Sequence, residues 1–352
     1  MKKTALIYHE DYLRHNAGEF HPERKERLVE TMNYLREMGI LERVELMKPD
    51  PCSDEDILRV HTREHLEYIK NLSRSGGGAI DADTYCQSET YEIAKLAVGG
   101  EILAGDAVMR GRVNNAYALV RPPGHHATRD RAMGFCYFNN VAIMIRYLQE
   151  KFNLRRIFLF DWDAHAANGT MEIFYEDPSI LNVSVHQDPR TFYPGTGFME
   201  QRGRGKGEGF TVNIPVPSGT GDADYIYILK EFVIPILERY KPEFIVISAG
   251  QDSHRDDPIS GLCLTENCYG EMTHLLLEQA ERFCNGRLVV ELEGGYNLKA
   301  FARSNYAIVS SLLGISPDGY EIKEEVREST KKIVNSLHDL FYESSFIAFE
   351  AP

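Results

Sequence analysis

In Asp161-Trp162-Asp163-Ala164-His165, two carboxylates and an imidazole occupy alternate positions. Alternate side chains of an extended chain point the same way, so all three would face one side. Asp252, which closes Ser248-Ala249-Gly250-Gln251-Asp252, completes a donor set of Asp163, His165 and Asp252. Three protein ligands with one position open to water describe a catalytic zinc site, and iron or another divalent ion could use the same set. On its own, a pair of aspartates more often caps a helix and a histidine more often sits satisfied in a core. Two further clusters tip the balance. Tandem His125-His126, after Arg121-Pro122-Pro123-Gly124, supplies imidazoles that change protonation near neutral pH, so one could accept a proton from water and return it to a leaving amine. Tyr296 follows Gly294-Gly295, and its phenol stays protonated at neutral pH and could donate to an oxyanion. A metal, a base and an oxyanion donor make an amide or ester hydrolase by water attack. No G-x-S-x-G elbow or Walker A loop competes with that chemistry.

Each cluster ends a short apolar run: Ala116 to Val120, Ile157 to Phe160, Phe244 to Ile247 and Leu288 to Leu292. Runs of this kind, bounded by Gly and Pro, read as buried strands of a parallel sheet, whose ligand sites lie beyond the carboxyl ends of the strands. Helical signals alternate with them. His21-Pro22-Glu23-Arg24 opens a helix that Gly39 stops, and Ser53 with Asp56 reads as a capping box for a helix through Ile69. Further helices are expected over 88–109, 140–151, 223–240, 265–283, 299–313 and 324–341. The long polar stretches 73–87, 127–134, 187–209 and 253–264 are expected to wall the pocket as loops.

The chain has 352 residues, an ordinary soluble composition and a formal net charge of −14, which disfavours a nucleic-acid surface. Its six scattered cysteines indicate neither a disulfide framework nor a thiolate zinc site. No apolar stretch has the length of a membrane span, and Met1-Lys2-Lys3 runs into Ala5-Leu6-Ile7-Tyr8 without a signal-peptide pattern, so a cytoplasmic protein is expected. With no dividing linker, residues 1–352 read as one α/β domain with a central, mostly parallel β-sheet flanked by helices and a helical tail over about 324–352.

From Tyr8 to about Leu313 the chain resembles the zinc-dependent histone deacetylase and acetylpolyamine amidohydrolase family, closest to its class II-like, prokaryotic-type branch. The resemblance rests on seven ordered blocks: His21 to Arg24, Arg121 to His126, Gly134-Phe135-Cys136-Tyr137-Phe138-Asn139-Asn140, Asp161 to Thr170, Tyr193-Pro194-Gly195-Thr196-Gly197, Ser248 to Asp252, and Glu293 to Asn297. It implies a single-domain arginase/deacetylase-like fold with the active site at the carboxyl ends of the strands. It places zinc on Asp163, His165 and Asp252, the general base and acid on His126, and a supporting electrostatic histidine on His125. Asp161 would accept from His125, Asn168 would partner His126, and Tyr296 would be the transition-state tyrosine.

The resemblance further implies an acyl tunnel between Phe135 and Tyr193, with the Gly134 carbonyl receiving the substrate amide N–H. Ile259 stands where a polyamine-selective branch places a gatekeeping Glu, and the rim carboxylate is Asp83 or Asp81. A structural potassium ion is implied at Asp161, Asp163, His165 and Ser184, and a second near Phe174, Asp177 and Ile180. Ala166-Ala167 replaces a His-Gly pair common in the family, and Gln251 replaces a frequent aromatic. The expected activity is removal of acetyl or short acyl groups from amines, foremost acetyl-lysine, with hydroxamates as inhibitors. The alternatives are an acetylpolyamine or other small acylamide hydrolase and, further off, an acyl-lysine reader without chemistry or a two-metal arginase-like ureohydrolase. Oligomeric state is left open.

Overall fold

In a computed structural model, residues 3–18, 20–315 and 324–342 are described. Their centre is an eight-stranded sheet in the order β2-β1-β5-β10-β9-β6-β7-β8, parallel throughout. The strands are β1 (Thr4–Ile7), β2 (Glu45–Met47), β5 (Asn115–Ala118), β6 (Ile157–Asp161), β7 (Ile180–Gln187), β8 (Thr211–Val216), β9 (Phe244–Ala249) and β10 (Leu288–Leu292). A separate antiparallel hairpin, β3 (Gly77–Ala79) with β4 (Tyr85–Gln87), lies in the stretch expected to be plain loop. The four apolar runs become β5, β6, β9 and β10, which are neighbours at the centre of the sheet. Because all run the same way, their carboxyl ends open on one edge.

Helices flank the sheet. Glu26–Glu37, Glu266–Cys284 and Leu298–Leu312 pack together, and Thr90–Met109 packs on Asn140–Phe152 and on β1, β5 and β10. One continuous apolar core runs through these layers. No helix of the described residues is long and apolar enough to cross a membrane.

Several expected elements differ. The first helix starts at Glu26, and His21 to Arg24 form a bend instead. Its cause is Glu23, whose carboxylate turns inward rather than capping a first turn. The capping box at Ser53 and Asp56 forms, but the helix it opens ends at Ile57. A second helix, Arg63–Arg74, begins under a Thr62 cap, and the Thr62 N–H is taken by the Arg129 carbonyl, a tertiary bond that replaces helix propagation. The stretch 222–240 is helical but contains a π turn, Leu229–Val233, next to Pro235, which has no N–H for the ordinary ladder. Strands β7 and β8 were not anticipated, because their buried faces carry Asn182, Ser184, His186 and Asn213 among the apolar residues. The expected loop at 187–209 therefore begins where β7 ends. The tail helix spans Glu328–Tyr342, and 343–352 lie outside the described residues.

A buried ion cluster joins the N-terminal bend to the strand ends. Arg121 grips Glu23 with Nε and Nη2, at 2.5 and 2.8 Å, and donates from Nη1 to the carbonyls of Tyr12 and His15. Arg27 donates to Glu23 at 2.9 Å and to the carbonyls of Gly295 and Glu293 at 2.6 and 2.5 Å. All three side chains are fully buried. Burial would raise the Glu23 pKa, but Arg121, His15 and Arg27 outweigh it and hold the carboxyl at about 2.

Glu23→Ala would leave two guanidinium groups buried without their carboxylate, and an expected loss of about 3–5 kcal/mol should appear in urea unfolding at neutral pH. Since the folded pKa lies below the ordinary value of 4.5, the stabilisation is full above 4.5 and is lost as pH falls towards 2. The deficit of the variant should therefore narrow in acid, and a deficit that held constant would contradict the ion-pair origin.

Candidate active site

At the carboxyl edge, β6 stops at Asp161 and the chain bends through residues 163–165. The regular extended backbone thus ends at Asp161, although Asp161 and Asp163 both lie beside His125 and Asp163 touches His165. Asp161 Oδ1 accepts the Asp163 N–H at 2.9 Å, and its Oδ2 lies 3.0 Å from His125 Nδ1. Asp163, His165 and Asp252 form the separate cluster, with one donor atom of each within 4.8 Å of the others. Asp163 Oδ2 also takes the Gly294 N–H, and Asp252 Oδ1 takes the Ala164 N–H, so each carboxylate is held by the end of another strand.

The donors fit a divalent cation. His165 Nδ1 sits 3.0 Å from Asp163 Oδ1 and 2.9 Å from Asp252 Oδ2, a point where two buried carboxylates concentrate negative potential. Burial pulls the imidazole pKa down, but Asp163 and Asp252 outweigh it and raise it to about 9. Burial and the Asp163 charge push Asp252 up to about 7. A positive charge at this point would relieve both groups. The backbone leaves no slack around them: a Cβ on Gly250 would stand 1.9 Å from Asp163 Oδ2, and one on Gly294 would be 2.6 Å from both Asp163 Oδ2 and Asp252 Oδ2.

The two histidines beside the cluster are tuned in opposite directions. Burial, His125 and His165 together hold His126 well below its ordinary pKa, so its imidazole is neutral. Its Nδ1 lies 2.6 Å from Asn168 Oδ1, which can only accept, so Nδ1 carries the proton and Nε2 keeps its lone pair. For His125, burial lowers the pKa, but Glu293, Asp163 and Asp161 outweigh it and hold it well above the ordinary value. Asn168 opens the helix Asn168–Phe174, whose Gly169 and Thr170 N–H groups donate to the His125 carbonyl and fix that loop against the helix.

A cavity of about 330 Å³ leads to this cluster. His125, His126, His165 and Tyr296 lie along it with Gly134, Phe135, Tyr193, Ile259 and Asp83. Burial, Asp252 and Asp163 keep the Tyr296 pKa well above 10, so its phenol retains its proton. The Tyr296 and Phe135 rings meet edge to face at 6.0 Å, and Tyr193 meets His126 at 5.0 Å. Gly134 must be glycine: its φ is +56° and a Cβ would stand 2.5 Å from His126 Cδ2. Of the two carboxylates expected at the rim, Asp81 accepts the N–H groups of Asp83 and Thr84 through Oδ1, while Asp83 borders the cavity. Ser184 sits on β7 beside Asp161 in register, with Oγ 2.8 Å from His186 Nδ1, outside the Asp163–His165–Asp252 cluster.

Three contributors were not singled out from sequence as residues of the site. Phe192 stacks on His165 with centroids 4.5 Å apart, and its place directly before Tyr193 was the available signal. Thr84 Oγ1 accepts the Phe135 N–H at 3.1 Å, and His21 packs edge-on against Phe135 at 4.5 Å. Both hold Phe135 at its positive φ of 69°, and only the fold brings them there.

Residues 21–312 match the histone deacetylase domain family. The chain is 44% identical over 346 residues to a probable deacetylase of Archaeoglobus fulgidus, covering 96% of this chain and 95% of that protein. It is 40% identical to a histone deacetylase-like amidohydrolase of Pseudomonas aeruginosa, over 84% of this chain and 76% of that one. The crystal structure of the HDA15 HD domain superposes with a TM-score of 0.91 at 34% identity, covering 97% of this chain and 96% of that domain.

Gly250→Ala should displace the Asp163 carboxylate and weaken zinc binding about 10–100-fold, as changes just outside a ligand set commonly do. Chelator competition on the folded variant measures it. Unchanged affinity would mean that Asp163 does not hold the ion.

Proposed function

As the chain belongs to the histone deacetylase family, whose members are zinc-dependent hydrolases of acetylated amides, we propose that its cavity is the tunnel of a deacylase acting on acetyl-lysine side chains. The observation that carries this reading is the Asp163–His165–Asp252 cluster beside one narrow cavity, with a neutral imidazole and a protonated phenol along the same cavity. Zinc held by these three residues would supply Lewis-acid polarisation of the scissile carbonyl and acidify the attacking water.

His126 Nε2 accepts the proton of that water and returns it to the departing amine, while Asn168 holds the ring in the needed tautomer. His125, kept positive by Asp161, Asp163 and Glu293, adds a fixed charge that favours the developing oxyanion. Tyr296 donates its hydroxyl to the same oxygen. Phe135 and Tyr193 exclude water from the methylene stem, the Gly134 carbonyl receives the substrate amide N–H, and Asp83 takes backbone donors at the rim.

In the same reading potassium lies by Asp161, Asp163, His165 and Ser184, whose oxygens suit a hard cation. At the second proposed position Asp177 would contribute backbone oxygen only, because its carboxylate is engaged by Arg146 and Ser179. Ile259 borders the cavity and presents no charge to a polyamine, which favours acetyl-lysine over the small-amine alternative.

Metal-free protein should not turn over an acetyl-lysine peptide, zinc should restore the activity and a hydroxamate should block it. Tyr296→Phe should lose about 10²–10³-fold in kcat with zinc still bound. Wild-type turnover in that variant would remove the oxyanion role. In one assay, acetyl-lysine peptides should outpace acetylated polyamines, and the reverse order would transfer the substrate to the small amines.

A further inference from the structure

Two loops meet beside the cavity. One follows β9 and carries Asp252, Asp257 and Ile259, and the other follows β10 and carries Gly294, Gly295 and Tyr296. The Asp257 carboxylate is only 7% exposed and gathers three backbone N–H groups. Oδ2 accepts from Tyr296 at 2.6 Å and from Asn297 at 3.2 Å, and Oδ1 accepts from Ile259 at 3.0 Å. Tyr296 and Ile259 both line the cavity, so one carboxylate joins a tunnel-wall residue to the tyrosine.

The loop needs such an anchor. Gly295 has a φ of +115°, which glycine can adopt because it lacks a Cβ, so the residue just before Tyr296 has no side chain to stiffen the turn. Arg27 Nε holds the Gly295 carbonyl at 2.6 Å, and on the other side of the same peptide Asp257 holds the Tyr296 N–H and then that of Asn297. Asn297 then donates from Nδ2 to the Asp256 carbonyl at 2.9 Å and caps the helix Leu298–Leu312 through Oδ1. An asparagine at 257 would present one accepting oxygen and an NH2 group to three N–H donors, leaving at least one of them without a partner.

We infer that Asp257 is a positioning residue for Tyr296: beside the hold of Arg27 on the preceding carbonyl, its carboxylate fixes the Tyr296 N–H and ties the phenol's position to the loop carrying Ile259. The inference rests on the catalytic role proposed for Tyr296. Asp257 touches neither substrate nor metal in this scheme and acts only through the tyrosine.

The test is a cycle of Asp257→Asn, Tyr296→Phe and the double variant, all zinc-loaded, with single-turnover rates, KM and zinc affinity measured for each. Asp257→Asn is expected to lower the rate about 10²-fold, the cost of misplacing a catalytic group by about 1 Å, with KM and zinc affinity unchanged. The double variant should be no slower than Tyr296→Phe alone, because a residue acting through the phenol has nothing left to position. Additive losses, or zinc affinity falling in step with rate, would overturn the inference. A loss in Tyr296→Phe beside full activity in Asp257→Asn removes this inference alone, whereas full activity in Tyr296→Phe removes the catalytic reading and this inference with it. Should Asp257→Asn not fold, Asp257→Glu keeps the charge but advances the oxygens by one methylene. The same non-additive loss is expected there, and a wild-type rate in that variant overturns the inference.

Discussion

The buried Glu23–Arg27–Arg121 cluster is the constraint on which the remaining geometry depends. A guanidinium group in a protein interior is tolerated only when its donors are met, and these two are met by one carboxylate and five backbone carbonyls. The carbonyls belong to three separate segments. Arg121 leads directly into His125-His126, and Arg27 holds the carbonyls of Glu293 and Gly295 just before Tyr296. The proposed base and the proposed oxyanion donor are therefore referenced to the same charged centre. Glu293 closes the circuit, since its Oε2 accepts the Gly124 N–H at 2.9 Å. Displacing either loop would strand a buried charge.

How much of this was legible in the sequence follows from which forces were local. The strands β5, β6, β9 and β10 could be read because both of their faces are covered, so their sequences are nearly unbroken apolar runs. The chemistry could be read because it stands directly after those runs. Strands β7 and β8 could not, because Asn182, Ser184, His186 and Asn213 are buried there, and the bonds of His186 to Ser184 and to the Gly197 carbonyl appear only in the fold.

The misread helix start at His21 has the same origin. Pro22-Glu23-Arg24 carries every local mark of a first turn, but Glu23 has a stronger partner a hundred residues away in Arg121. Thr62 behaves likewise, giving its N–H to Arg129 rather than to a continuing helix. Asp81 and Asp83 could not be told apart in the sequence, because only the turn puts Asp81 Oδ1 on the N–H groups of Asp83 and Thr84 and sets Asp83 beside the cavity.

The proposed ligands illustrate how such a site holds its shape. Asp163 and Asp252 repel each other across a buried space, and each is restrained by a backbone N–H from beyond another strand, Gly294 after β10 for one and Ala164 after β6 for the other. Glycine at 250 and 294 lets the backbone come close enough to leave those carboxylates no alternative position. A fold that confines two like charges in this way stores a standing preference for a cation between them, and the parallel sheet sustains that preference by bringing β6, β9 and β10 side by side. The same packing that makes the cluster costly for a carboxylate pair, which His165 offsets from between them, is what would favour a cation there in the proposed zinc reading.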